Sequence, residues 1–144
     1  MMNSENLSEF AKRYAAAWCS QSPEGVAAFF AENGSLTVNN GTAAVGRAAI
    51  AETARGFMRD FPDMIVTFDK LEPRAGQTAF HWTLIGTHAG TGNHVRISGY
   101  ELWNIDNAGL IAESSGHFDV VEYERQLKGS DQGSVTSDER ATQI

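Results

Sequence analysis

Residues 79–119 read AFHWTLIGTHAGTGNHVRISGYELWNIDNAGLIAESSGHFD, and this stretch decides the fold. Long runs of β-branched and aromatic residues are broken only by compact Gly/Asn turns. That pattern predicts consecutive antiparallel strands joined by hairpins. In the first strand Phe80, Trp82, Leu84, Gly86 and His88 share one face by alternation, and His81, Thr83, Ile85 and Thr87 the other. In the second, Val95, Ile97, Gly99, Glu101, Trp103 and Ile105 share a face. The third is expected from Leu110 to about Val121, with a short helical stretch at Tyr123 to Leu127.

Four polar residues of this stretch do not suit an ordinary core: His88, Glu101, His117 and Asp119. Glu101 shares its face with Ile97, Trp103 and Ile105. A carboxyl turned into an apolar interior has its pKa raised unless it is paired, which suits a general acid or base near neutral pH. A β-bulge near Gly99 would instead rotate it outward, and Arg96 or Arg47 could pair with it. His117 and Asp119 lie two residues apart on one face, a spacing compatible with a proton-transfer pair. Leu110, Ala112, Phe118 and Val120 make the even positions the apolar ones, so His117 and Asp119 point away from the core unless a bulge within Ser114–Gly116 reverses them. His88 ends its face at a rim.

Upstream, Asn3 or Ser4 can cap a helix in which Leu7, Phe10, Ala11, Tyr14 and Trp18 form an inward stripe. Tyr14 carries the one hydroxyl of that stripe, either as a core tyrosine or as a ligand-facing group. Ser22-Pro23-Glu24 starts a second helix, with Val26, Phe29 and Phe30 on its apolar face and its end near Asn33-Gly34. A short strand is expected over Ser35 to Val38. Gly46 to Phe61 is a third helix, with Ile50, Ala54, Phe57 and Phe61 inward and Pro62 as its stop. From Asp63 the period becomes two, with Met64, Val66 and Phe68 on one side. Helices first and long strands after define an α+β domain with helices on one face of an antiparallel-rich sheet. The other face still carries Ile85, Tyr100 and Leu102, which suits a second copy of the sheet in a symmetric dimer.

The 144 residues suit one domain, read as residues 1–128, followed by a polar, mobile tail over 129–144. The net charge of -7 with scattered basic residues argues against nucleic acid or an anionic membrane surface as partner. No apolar run approaches the roughly 20 residues of a membrane span. The N-terminus lacks the basic and apolar regions of a secretory signal, and the single Cys19 excludes an internal disulfide, so a cytoplasmic location is the expectation. The four histidines lack metal-ligand spacing, and no phosphate-binding, dinucleotide-binding or GxSxG motif occurs, so neither metal nor cofactor is expected.

Three phrases carry a family resemblance: AAAWCSQSPEGVAAFFAENGSL, WTLIGTHAGTG and DNAGLIAESSGHFDVVEYERQL. Together they resemble the SnoaL-like polyketide cyclase branch of the nuclear transport factor 2-like superfamily, over about residues 5 to 129. The resemblance implies three N-terminal helices packed on a strongly curved, mostly antiparallel sheet that forms a cone around a pocket, with dimers made through the convex face. It also implies that Asp119, at the place of the cyclases' aspartate, moves a proton. Tyr14 and Glu101 fall at about the places of the oxyanion hole in ketosteroid isomerase-like members. Val38 stands near the place of that isomerase's general-base aspartate, where the pattern departs.

The combined expectation is a pocket protein for a small apolar or aromatic molecule, either a cofactor-independent isomerase, cyclase or dehydratase, or a non-catalytic binding or protein-interaction domain. Asp119, His117, Glu101 and Tyr14 are the candidate catalytic residues. Trp18, Phe57, Trp82, His88 and Trp103 are the candidate ligand-binding residues.

Overall fold

The computed structural model describes residues 4–129. The expected cap at Asn3 and the expected tail from residue 130 onward lie outside the described residues. Helix α1 spans Ser4–Cys19, α2 Pro23–Ala27 and α3 Arg47–Asp60. The strands are β1 Phe30–Val38, β2 Ala44–Val45, β3 Ile65–Arg74, β4 Gln77–Thr87, β5 His94–Ile105 and β6 Ile111–Phe118, and α4 follows at Val120–Lys128. The six strands form one sheet in the order β2-β1-β6-β5-β4-β3, parallel only between β1 and β6.

This is the expected α+β architecture: helices pack on one face of a curved, mostly antiparallel sheet. Curvature has a local origin. The register shifts in β3 between Phe68 and Lys70, and in the β5–β6 pair between Asn104 and Ile105. Each shift inserts an extra residue on one strand and bends it. The stripe of α1 packs as the spacing predicts, with Phe10, Ala11, Tyr14 and Trp18 all buried. Ser22 caps α2 as expected, its hydroxyl accepting from the Gly25 N–H at 3.0 Å.

Two boundaries differ from the sequence reading. The second helix stops at Ala27 rather than near Gly34, because Phe30 already pairs with Ile111 in the parallel ladder and the Phe29 carbonyl accepts the Ile111 N–H. The last strand ends at Phe118 rather than Val121, because Asp119 caps α4, its carboxylate accepting the Glu122 N–H at 3.1 Å. Helical propensity and strand propensity were both adequate there, and a tertiary pairing and a cap settled each boundary.

The β4–β5 register runs unbroken from Thr78 opposite Trp103 to Thr87 opposite His94. No bulge therefore turns Glu101 outward. The irregularity lies instead where Asn104 pairs with Glu113 and Ile105 with Ile111, leaving Ala112 as the extra residue. Ile111 and Ser114 consequently both face inward and are fully buried. The core extends from α1 and α3 onto the concave face of β3–β6. On the opposite face Ile65 and Ile85 are exposed, and a row of rings runs across the sheet: Arg74 over Tyr100 at 4.9 Å, and Tyr100 beside both His81 and His117.

Candidate functional site

Alternation along β5 places Glu101 between buried Ile97 and Trp103 on the concave face, 8% exposed. Its cross-strand neighbours are Phe80 on β4 and Gly116 on β6. Three neutral donors converge on its carboxyl. The Ser114 hydroxyl donates to Oε1 at 2.7 Å, the Trp103 indole Nε1 to the same oxygen at 3.0 Å, and the Tyr14 hydroxyl at 3.0 Å. Oε2 receives only the longer half of the Tyr14 bond, at 3.2 Å.

The donors are held by aromatic packing. Phe80 stacks on Trp103 with centroids 4.8 Å apart, and the Tyr14 ring stands edge-on to both. Edge-to-face packing of this kind fixes ring orientation, and with it the direction of the hydroxyl and the indole N–H. Helix α1 thereby reaches the sheet through a buried polar contact, in addition to the Cys19 thiol that bonds the Val66 backbone on β3.

Burial is the largest influence on Glu101 and pushes its pKa above the ordinary carboxylate range, while the bonds from Trp103, Ser114 and Tyr14 pull it back toward ionisation. Burial, followed by the charge of Glu101, pushes Tyr14 well above its ordinary value, so the phenol stays protonated and serves as a donor. No Lys, Arg or His bonds the carboxyl among the described hydrogen bonds and ion pairs.

Beside Glu101 lies a cavity of about 70 Å³. Its wall is formed by Trp18, Leu36, Val38, Phe57, Val66, Phe80, Trp82, Leu84, Gly116, Phe118 and Glu101, the last being its one ionisable residue. Gly99 makes room for part of this wall: a Cβ there would collide with the Trp82 ring and the His117 carbonyl. An apolar chamber with one polar group is suited to an apolar ligand oriented by a single contact.

Of the sequence-predicted residues, Glu101, Tyr14 and Trp103 form the hydrogen-bonded cluster, and Trp18, Phe57 and Trp82 line the cavity. The other three stand elsewhere. Asp119 is exposed and caps α4. His117 lies on the convex face, its Nε2 against Ser115 Oγ at 3.0 Å, and His117 and Asp119 both border a surface concavity with Asn39, Asn40 and Tyr100. The parity of β6 explains this, since its even positions turn inward from Ser114 onward. His88 packs against Phe61, and its Nδ1 accepts the Thr91 N–H in the β4–β5 turn, away from the cavity wall. Ser114 was not singled out from the sequence, although it shares the parity of apolar Phe118. Among the described residues no group of three or more His, Cys, Asp or Glu side chains is placed to hold a metal ion. No helix among them is long and apolar enough to cross a membrane.

The family model described as SnoaL-like polyketide cyclase matches residues 8–127. No curated protein matches the chain. Among solved structures, a protein of ketosteroid isomerase-like fold from Catenulispora acidiphila DSM 44928, in complex with trimethylamine, superposes with a TM-score of 0.76 at 17% identity, covering 85% of this chain and 94% of that one. TsrD from Streptomyces laurentii gives 0.76 at 16% identity, over 88% and 98% of the two chains. The epoxide hydrolase/cyclase-like enzyme SalBIII of pyran ring formation in salinomycin gives 0.73 at 14% identity, over 85% and 97%. At such identities the likeness is one of fold.

Proposed function

The chain belongs to the SnoaL-like polyketide cyclase family, and on that premise we propose that it is a cofactor-independent acid/base protein of isomerase, cyclase or dehydratase type, acting on a small apolar molecule in the cavity beside Glu101. The observation that carries this is the placement of one buried carboxyl, with three neutral donors, in an otherwise apolar wall. Desolvation favours the protonated carboxyl, and the donors stabilise the carboxylate once the proton has left. Glu101 carries the proton in this reading, and Tyr14, Trp103 and Ser114 position it and tune its affinity. Asp119 and His117 serve the cap of α4 and the convex face instead.

The neighbours support a pocket role in general terms, one being solved with trimethylamine and another named for epoxide and cyclisation chemistry. The convex face, with exposed Ile65 and Ile85, suits the second copy of a homodimer. A cytoplasmic setting, without membrane or nucleic-acid partner, belongs to the same proposal.

Turnover of small epoxides, allylic alcohols and ketones by the protein and by Glu101→Gln, followed by proton NMR, tests the reading. Turnover lost in the variant is the expected result, and turnover equal in both contradicts it. A second reading, non-catalytic binding, is favoured by the wholly apolar remainder of the wall. Saturable binding in the cavity with no product from any of these compounds would select it.

A further inference from the structure

Three hydrogen-bond donors beside the cavity are already engaged. Tyr14, Trp103 and Ser114 all donate to Glu101, and none of the three forms the cavity wall. The wall itself holds no lysine, arginine or histidine. An anionic ligand, or one that becomes an enolate, would find only neutral donors there, Glu101 in its protonated form and the indole N–H groups of Trp18 and Trp82, and no cationic partner. Such an oxyanion needs preorganised donors to form in a low-dielectric site.

The opposite charge is well served. Five aromatic residues, Trp18, Phe57, Phe80, Trp82 and Phe118, contribute to the wall. Aromatic rings attract cations through their quadrupole, most strongly where water is excluded. Among the described residues no Lys, Arg or His bonds Glu101, so its carboxylate form is a buried charge without a counterion among them.

We infer that the cavity selects a ligand that carries, or acquires on reaction, positive charge on a small alkyl centre. This rests on the acid/base reading above and names its substrate class. For a small tertiary or allylic alcohol the step balances within the site. Neutral Glu101 gives its proton to the hydroxyl, the C–O bond breaks, water leaves, and the carbocation faces the aromatic wall. The Glu101 carboxylate, stabilised by its three donors, then takes a proton from the adjacent carbon. The C–H electron pair becomes the double bond, and Glu101 is neutral again.

Tetramethylammonium is the chosen probe because its charge does not change with pH. Any pH dependence of its binding then belongs to the protein. Tyr14 is the titratable group that faces Glu101 from α1, and β1, α3, β3, β4 and β6 contribute no ionisable side chain to the wall.

Binding of tetramethylammonium, neutral tert-butanol and anionic pivalate is compared by calorimetry on the full chain, with the Glu101 carboxyl followed by NMR in the same samples. The inference expects tetramethylammonium to bind about tenfold more tightly than tert-butanol, as one desolvated cation–π or ionic contact provides. It also expects pivalate to bind most weakly, and cation binding to release a proton as the pH falls into the Glu101 titration. Glu101→Gln loses the preference for the cation. Phe57→Leu, which leaves the buried hydrogen bonds intact, reduces that preference by weakening tetramethylammonium binding more than tert-butanol binding. Equal binding of cation and alcohol, or tighter binding of pivalate, overturns the inference. If Glu101 still titrates high and responds to tert-butanol, the acid/base reading survives that result. If Glu101 titrates as an ordinary glutamate and responds to no ligand, both fall.

Discussion

The Tyr14 hydroxyl on α1 donates to both oxygens of Glu101 on β5, at 3.0 and 3.2 Å, across 87 positions of sequence. This contact joins the first helix to the middle of the sheet. It also lowers the proton affinity of the carboxyl that borders the cavity, against the larger upward push of burial. The testable consequences follow from that dual role.

Replacing Glu101 by Gln removes the proton carrier while keeping an oxygen for the donors. Loss of a general acid or base costs typically 10²- to 10⁴-fold in rate, roughly. The expected outcome is a kcat reduced on that scale with ligand binding to the aromatic wall retained, read from steady-state rates and cavity-ligand calorimetry.

Ser114→Ala deletes one donor with minimal change of shape. Leaving the buried carboxyl short of a partner costs about 1–3 kcal/mol, which denaturant unfolding would read. The Glu101 pKa should rise further, because the lost bond favoured the ionised form. A variant with unchanged stability and unchanged titration would mean that Ser114 is not a working donor.

The pH dependence of stability separates two glutamates. The folded-state pKa of Glu101 lies above its ordinary value of 4.5, so the folded protein binds more protons than the unfolded chain between the two values. Stability attributable to Glu101 is therefore present in full below 4.5 and is lost as pH rises through its folded pKa. Half-buried Glu122 is held down to about 2, chiefly by Arg125 and then Gln126. Its contribution is present above 4.5 and is lost as pH falls toward about 2. Thermal melts of Glu101→Gln should lose the decline on the rising side, and those of Glu122→Gln should lose part of the decline on the acid side.

Asp119→Ala tests the residue that family resemblance had marked. As the cap of α4, its removal should cost about 1 kcal/mol, a typical value for an N-cap. Asp119→Asn should restore most of that stability, and turnover per folded molecule should be unchanged in both. A selective loss of turnover in Asp119→Asn would return the proton-carrying role to Asp119.

Filling the cavity offers a separate check. A Cβ at Gly116 would meet Glu101 Cγ at 3.6 Å and the Thr37 carbonyl at 3.7 Å, both ordinary contacts. Gly116→Ala is therefore expected to fold normally and to weaken ligand binding by reducing the cavity, as calorimetry would show. Unchanged binding would place the ligand elsewhere.

Much of this arrangement was legible in the sequence, for definite reasons. Strict alternation in β4 and β5 revealed the inward face, and with it Glu101, because their register is continuous. The helical stripe revealed Tyr14 and Trp18. Parity already placed Ser114 inward with Phe118, but nothing local marks a small hydroxyl as the partner of a carboxyl on the next strand, and the phase change at Ala112 that turns Ile111 inward is set by pairing with Asn104 and Ile105, which no local pattern encodes. The early end of α2 was hidden for a similar reason, the parallel pairing of Phe30 with Ile111. Asp119 and His117 drew attention through residue type and resemblance, while the parity of their own strand pointed the other way, and the structure follows the parity.

The central claim is that burial raises the proton affinity of Glu101 at the wall of the cavity. Carboxyl-selective ¹³C NMR titration of the full chain, with Glu101 assigned by loss of its signal in Glu101→Gln, tests it most directly. The account predicts a titration displaced upward from 4.5, displaced further in Tyr14→Phe and altered by a cavity ligand. A Glu101 resonance that titrates at or below 4.5, and ignores both the Tyr14 substitution and the ligand, would contradict it.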